Sequence, residues 1–302
     1  MKKTFLILLF VAGVAILSFT SCSHEENVDV SKGNSVESVE FGKLCNTVEQ
    51  IGKEFSPPST RGVNWKKWGG RVFSATVDGL SGYVAGPAGI FVGPLCSWAF
   101  EEHWEHCTRG MSIKAHSNVL SDDIPMDIGY VFFKENSTRA DSIGYYHNVI
   151  LEEIARSGKS YVSDEGEIDY QTLLSDCVVF AKKYGVEVDV QNTESYKDLS
   201  KSIVESFTSC GENEITKEEA LKRINTLYKE KFNLEPNLEK VECFQNIIVE
   251  ALVDIDDDFV IKDFANQLNK SIMDANVSPK LKRDLMMISD VTVNSKLYWK
   301  NE

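Results

Sequence analysis

A run of 22 residues without a charge, Gly79 to Phe100 (GLSGYVAGPAGIFVGPLCSWAF), constrains this chain more than any other feature. Drawn as one helix it spans roughly 33 Å at about 1.5 Å per residue, close to the thickness of a bilayer core. Its glycines fall at Gly79, Gly82, Gly86, Gly89 and Gly93, with Ala75 extending the row backward and Cys96 forward. The steps alternate between three and four, which puts the small residues on a single helix face. In water each helical Gly costs about 1 kcal/mol against Ala, so the row calls for a compensating reason. In a membrane a small-residue seam of this kind, a glycine zipper, lets helix backbones approach closely.

Pro87 and Pro94 interrupt a straight helix. The segment is therefore expected as a kinked span, as two short helices, or as a hairpin turning near Gly86-Pro87-Ala88-Gly89. Trp65 and Trp68 flank it on one side with Lys66, Lys67 and Arg71, and Trp98 and Trp104 on the other with Glu101, Glu102 and Glu105. Trp favours the interface at both ends of a span. A Gly-rich core hairpin and a permanent membrane anchor are the competing readings. The expectation adopted is a segment covered in the water-soluble form and inserted later.

The N-terminus reads as a targeting signal. Met1-Lys2-Lys3 is a positive n-region, Thr4 to Leu17 an uncharged apolar h-region, and Ser18-Phe19-Thr20-Ser21 leads into Cys22. Residues 1–21 are expected to be removed and Cys22 to carry lipid, which anchors the mature chain to a membrane. Residues 22–61 read as a polar linker ending in Pro57-Pro58-Ser59-Thr60-Arg61-Gly62. Ser-Thr-Arg recurs at Arg139, within Lys134–Ala140. Small polar residues in accessible loops are where proteases cut, so Arg61 and Arg139 are candidate cleavage sites for an arginine-specific protease.

Charge follows the same division. Residues 1–61 hold 6 basic and 7 acidic groups, residues 62–139 hold 7 and 8, and residues 140–302 hold 19 and 31. The last part thus carries a net −12 of the chain's −14. That balance argues against a nucleic-acid partner, which needs clustered Lys and Arg. Six cysteines remain beside Cys22, an even number in an exported protein, with their pairing left open.

Residues 140–302 carry helical periodicity: the stripe Ile143, Tyr146, His147, Ile150, Leu151 and Ile154, then helices near 169–184, 194–209, 217–231, 236–253, 258–275 and from Pro279. Strand signals are confined to 129–134 and 186–190. The expected fold is mainly α: a Gly-rich apolar helical segment or hairpin (62–139) followed by an acidic α-helical bundle domain (140–302).

Asp254-x-Asp256-x-Asp258 lacks the Gly and Glu that a calcium loop needs, having Phe259 and Ala265 there. His103, His106 and Cys107 share a helix face but match no zinc fingerprint. No HExxH, GxSxG or phosphate-binding Gly loop is present. A Cys–His nucleophile pair using Cys45, Cys96 or Cys107 has no local support. No catalytic residue, metal or cofactor is expected.

Asp141-Ser142-Ile143-Gly144-Tyr145-Tyr146-His147-Asn148 resembles the D-S-[IV]-G-x-x-H-N segment of secreted Bacteroidales lipoproteins. In those proteins it follows a Thr-Arg-Gly, a Trp-Lys-rich start and a Gly-rich apolar stretch, the order found here. Over residues 1–150 the chain is similar to antibacterial lipoprotein toxins activated by clostripain-like proteases. The resemblance implies a bacteriocin-like toxin, anchored at the outer membrane, surface-exposed, and released after processing. The implied partners are an activating Arg-specific protease and the envelope of competing bacteria, with a two-chain form after cleavage. His147 and Asn148 are expected to be structural. The alternative is a non-toxic surface lipoprotein serving as a binding or structural module.

Overall fold

The computed structural model describes residues 34–55, 65–109, 143–163, 165–186, 193–207, 217–232, 237–253, 255 and 257–299. These residues are about 87% helical and contain no strand, only an isolated antiparallel bridge between Val162 and Ile168. The mainly-α expectation holds. Val186 lies in no strand, and the other residues of the two strand candidates fall outside the described set.

The helices are α1 (Asn34–Phe55), α2 (Trp65–Ala85), a 3-10 turn (Gly86–Ala88), α3 (Gly89–Arg109), α4 (Ile143–Arg156), α5 (Tyr170–Lys183), α6 (Thr193–Phe207), α7 (Lys217–Phe232), α8 (Leu238–Leu252), α9 (Asp258–Asp274) and α10 (Pro279–Trp299). Several begin as their sequences dictate. Asp169 caps α5 by accepting from Thr172 N at 3.0 Å, and Asp257 caps α9 by accepting from Phe259 N and Val260 N at 2.8 and 3.2 Å. Proline opens α10, where its missing N–H removes no intrahelical bond.

The apolar segment is a hairpin at the centre of the molecule. Its arms α2 and α3 run antiparallel: Gly82 and Gly89 meet next to the turn, and Phe73 and Phe100 stack edge to face at 6.5 Å near the open end. Ser74 donates to Glu101 Oε2 at 3.1 Å at the same level. On the α2 side lie α7, α8 and α10, and on the α3 side lie α4, α5 and α6. Helices α1 and α9 form an outer layer over α8 and α10. The hairpin and the later helices share one core, which runs from Phe41 in α1 to Leu297 in α10. Residues 62–139 and 140–302 are therefore not separately packed units within the described residues.

Two further expectations are corrected. Residues 22–61 are not linker throughout: Asn34–Phe55 is a 22-residue helix that buries Phe41, Leu44, Cys45 and Val48. Phe41 packs on Phe244 of α8 at 6.4 Å and Phe55 on Phe264 of α9 at 6.1 Å. Its apolar residues had been hidden by the polar ones between them. The cysteines do not all pair: Cys45, Cys96 and Cys177 are buried free thiols, while Cys243 is disulfide-bonded.

Candidate functional site

The described residues contain one stretch long and apolar enough to cross a membrane, Phe73–His103, and 67% of its most apolar window is buried. It is folded back on itself, so the small residues do not form a single face. Ala75, Gly79 and Gly82 lie on α2, Gly86 in the turn, and Gly89 and Gly93 on α3. Each close approach has its own physical reason. A Cβ on Gly89 would sit 2.6 Å from Gly82 Cα and 3.0 Å from Gly82 O, so this pair lets the arms touch backbone to backbone. A Cβ on Gly82 would meet Val291 Cγ2 of α10 at 3.0 Å, and one on Gly93 would meet His147 Cδ2 of α4 at 2.7 Å. A Cβ on Gly79 would collide with Thr292 and Gln245. Gly86 has open space around it but a φ of 56°, the left-handed conformation that reverses the chain.

The flanking tryptophans are likewise brought to one end. Trp65 and Trp68 begin α2 and Trp98 and Trp104 lie towards the end of α3, so the reversal places both pairs at the open base of the hairpin. Of the three forms expected for the segment, the hairpin turning near Gly86-Pro87-Ala88-Gly89 is the one observed.

The hairpin is held by polar side chains as well as by apolar packing. Between Arg71 and Glu101 the only charged residue is Asp78, fully buried on α2. His147 Nε2, also fully buried, lies 2.8 Å from Asp78 Oδ1. Ser295 Oγ of α10 donates to Asp78 Oδ2 at 2.5 Å, and Trp299 Nε1 donates to the same oxygen at 3.4 Å. Asn148 Nδ2 donates to Asn294 O at 2.8 Å, which leaves its Oδ1 as acceptor from His147 Nδ1 at 2.9 Å. His147 thus bridges α4 to α2, with Nε2 facing the Asp78 carboxylate and Nδ1 facing Asn148. Oδ2 of Asp78 carries two donors from α10, and Oδ1 faces the imidazole.

Other helices reach the hairpin backbone. Gln245 Nε2 of α8 donates to Thr76 O at 2.8 Å, Tyr228 OH of α7 donates to Val77 O at 3.1 Å, and Ser200 Oγ of α6 donates to Leu95 O at 3.1 Å. Tyr228 OH also lies 2.7 Å from Ser81 Oγ. Thus α4, α6, α7, α8 and α10 each place at least one polar side chain on the hairpin.

The D-S-I-G-x-x-H-N resemblance acquires a physical meaning here. Gly144 N donates to Asp290 Oδ2 at 2.9 Å, and a Cβ on Gly144 would lie 2.6 Å from Asp290 O. Gly144, His147 and Asn148 are the residues by which α4 docks on α10 and on the hairpin. The expectation that His147 and Asn148 are structural agrees with this, though their reach extends beyond the helix start. Asp78, Gln245, Asp290, Thr292, Asn294 and Ser295 were not singled out in the sequence. The one legible signal was Asp78, a lone charge inside an apolar helix.

Of the thiols named for a Cys–His pair, Cys45 and Cys96 are among the described side chains, and neither is activated. Burial pushes the Cys96 thiol up to about 12, and that of Cys45 likewise to about 12, far from a thiolate at neutral pH. No group of three metal-ligating side chains occurs among the described residues. Cys22, Arg61, Arg139 and the side chains of His106 and Cys107 lie outside the described set. No protein-family model, curated protein or solved structure matches this chain.

Proposed function

We propose that this protein is a latent, bacteriocin-like antibacterial toxin, lipid-anchored through Cys22, cut after Arg61 and Arg139, and acting on the envelope of competing bacteria by membrane insertion. The observation that carries the reading is the apolar hairpin covered along both arms by helices that grip it through hydrogen bonds.

The energetics favour a metastable cover. Apolar surface is removed from water equally well by protein or by hydrocarbon, at roughly 25 cal/mol per Å² in either place. Burial alone therefore does not decide where the hairpin resides. The polar contacts do, because they exist only in the folded bundle. At about 1 kcal/mol net each, one contact from each of the five helices amounts to ~5 kcal/mol, the His147–Asp78 contact being the one from α4. Loosening even one gripping helix shifts that balance.

Proteolysis is suited to this. A cut after Arg139 makes Ala140 a new N-terminus, three residues before α4 begins at Ile143. Helix α4 carries His147 and Asn148, so the cut frees the chain just ahead of the strongest grip. A cut after Arg61 breaks the covalent link to the lipidated segment, leaving α1 held to the body by noncovalent contacts such as its packing on α8 and α9. The cut at Arg139 divides the body into a two-chain form, with α1 docked on it, whose parts stay together until a membrane competes for the hairpin.

The test is purified protein treated with an Arg-specific clostripain-like protease, then assayed for vesicle leakage and growth inhibition, with Arg61→Ala and Arg139→Ala singly and together. Activity is expected to follow cleavage, most strongly at Arg139. An uncut double variant that kills as well as the processed protein would replace this reading with that of a surface-lipoprotein module. Cys22→Ser is expected to abolish detergent partitioning of the precursor.

A further inference from the structure

We propose that the hairpin meets a lipid bilayer tip first, with Val84, Ala85, Gly86, Pro87 and Ala88 as the surface that touches the membrane before any other part of the molecule. This rests on the membrane-insertion reading above and adds the site and the direction of contact.

Three independent observations converge on the tip. Along the hairpin, Phe73–Tyr83 and Gly89–Leu95 are buried, whereas Pro87 is exposed and Val84, Ala85, Gly86 and Ala88 are half-buried. The tip therefore reaches solvent in the folded bundle, and Pro87 is the one exposed residue between Phe73 and Phe100. Its composition is wholly uncharged and lacks any side-chain hydrogen-bonding group.

Second, charge is segregated along the hairpin axis. Lys66, Lys67 and Arg71 on α2 and Glu101, Glu102, Glu105 and Arg109 on α3 all lie towards the open base, and Asp78 is the one charge between base and tip. A hairpin inserting base first would drag seven charges through hydrocarbon. One inserting tip first leaves them in water.

Third, the four tryptophans at positions 65, 68, 98 and 104 sit at the base. Interfacial Trp then marks the depth at which insertion stops. From Phe73 to Ala85 the first arm has about 20 Å of helix whose one charge is Asp78, and from Gly89 to Phe100 the second has about 18 Å of uncharged helix, at about 1.5 Å per residue enough to carry the tip past the bilayer midplane. Gly82 and Gly89 already pack the two arms backbone to backbone, so the hairpin enters as a unit and needs no unfolding at its tip.

The tip needs no anionic headgroup, since it carries no cation. Dye-loaded phosphatidylcholine vesicles are therefore the probe, with full-length protein processed by the Arg-specific protease. Pro87→Glu puts a charge at an exposed position, so the soluble fold tolerates it while hydrocarbon does not. Its leakage rate is expected to fall at least about tenfold. Pro87→Ser, which removes the ring without adding charge, and Val179→Glu, which charges an exposed site on α5 (56% exposed), are expected to leak within about twofold of the unmodified protein. Ala88→Lys serves as a second charged tip variant and is expected to match Pro87→Glu, and urea unfolding of the uncut proteins confirms that each folds. Wild-type leakage by both charged tip variants, or an equal loss in Pro87→Ser, would overturn the tip-first assignment while leaving membrane insertion standing. Absence of leakage by the processed unmodified protein would instead overturn the membrane reading itself.

Discussion

Asp78 is held inside the core by three side chains from two helices, His147 of α4 and Ser295 and Trp299 of α10. Removing the fully buried imidazole leaves a cavity beside Asp78 and takes away a polar neighbour, a change that costs about 2–5 kcal/mol. His147→Ala is accordingly expected to lower the urea midpoint by that free energy, and His147→Gln by less, because an amide still donates. Cys96 offers a second readout. Its thiol is fully buried on α3 and pushed up to about 12, so it is expected to resist thiol reagents at pH 8 in the folded protein. In His147→Ala, its modification rate is expected to rise by more than about tenfold as the hairpin is released more often.

At the scale of elements, the hairpin turn and the arm contact separate two uses of glycine. Gly86 needs its conformation but has room, so Gly86→Ala is expected to cost about 1–2 kcal/mol from left-handed backbone strain. Gly89 needs its missing side chain, because the atoms in the way are Gly82 backbone. Gly89→Ala is expected to splay the arms and to cost about 1–3 kcal/mol, read as a shift in thermal midpoint. Gly86→Asn, which tolerates the left-handed region, is expected to restore part of the loss, and no comparable rescue exists at Gly89.

Helix α1 is attached through Glu37, whose carboxylate accepts from Lys240 Nζ at 2.6 Å and from Ser278 N at 3.1 Å. The hydrogen bonds from Lys240 and Ser278 lower its pKa from 4.5 to about 2. A depressed folded-state pKa means this stabilisation is complete above about 4.5 and is lost as pH falls from there to about 2. Protection factors of α1 amides, corrected for intrinsic exchange at each pH, are expected to fall over that window in the wild type, and Glu37→Gln is expected to remove that fall.

For the whole molecule, a covered hairpin makes cleavage and stability separable. Processing at Arg139 is expected to lower the unfolding midpoint without dispersing the helices, since the chains on either side of the cut contribute to one core. Circular dichroism of cut and uncut protein is expected to overlay at neutral pH, and their urea curves to diverge. Coincident curves would show that α4 keeps its grip after cleavage.

Periodicity and capping alone placed the helices from α4 to α10 within a few residues, because an amphipathic stripe and an Asp or Pro at a helix start act locally. The same local logic located the apolar run and the glycine row. Which faces met which could not be read locally. The chain reversal at Gly86 split one apparent seam into contacts with Gly82, Val291, His147, Thr292 and Gln245, residues up to about two hundred positions away. Helix α10 shows most clearly what only the tertiary structure decided. From Ile288 to Leu297 it is buried on every side, yet it carries Asp290, Thr292, Asn294, Ser295 and Lys296. Its sequence gives no sign of a central helix, because a buried polar residue is recognisable only through the partner that satisfies it. Those partners, Asp78, Gly144, Asn148 and Gln245, lie on three other helices, and only the folded chain brings them together.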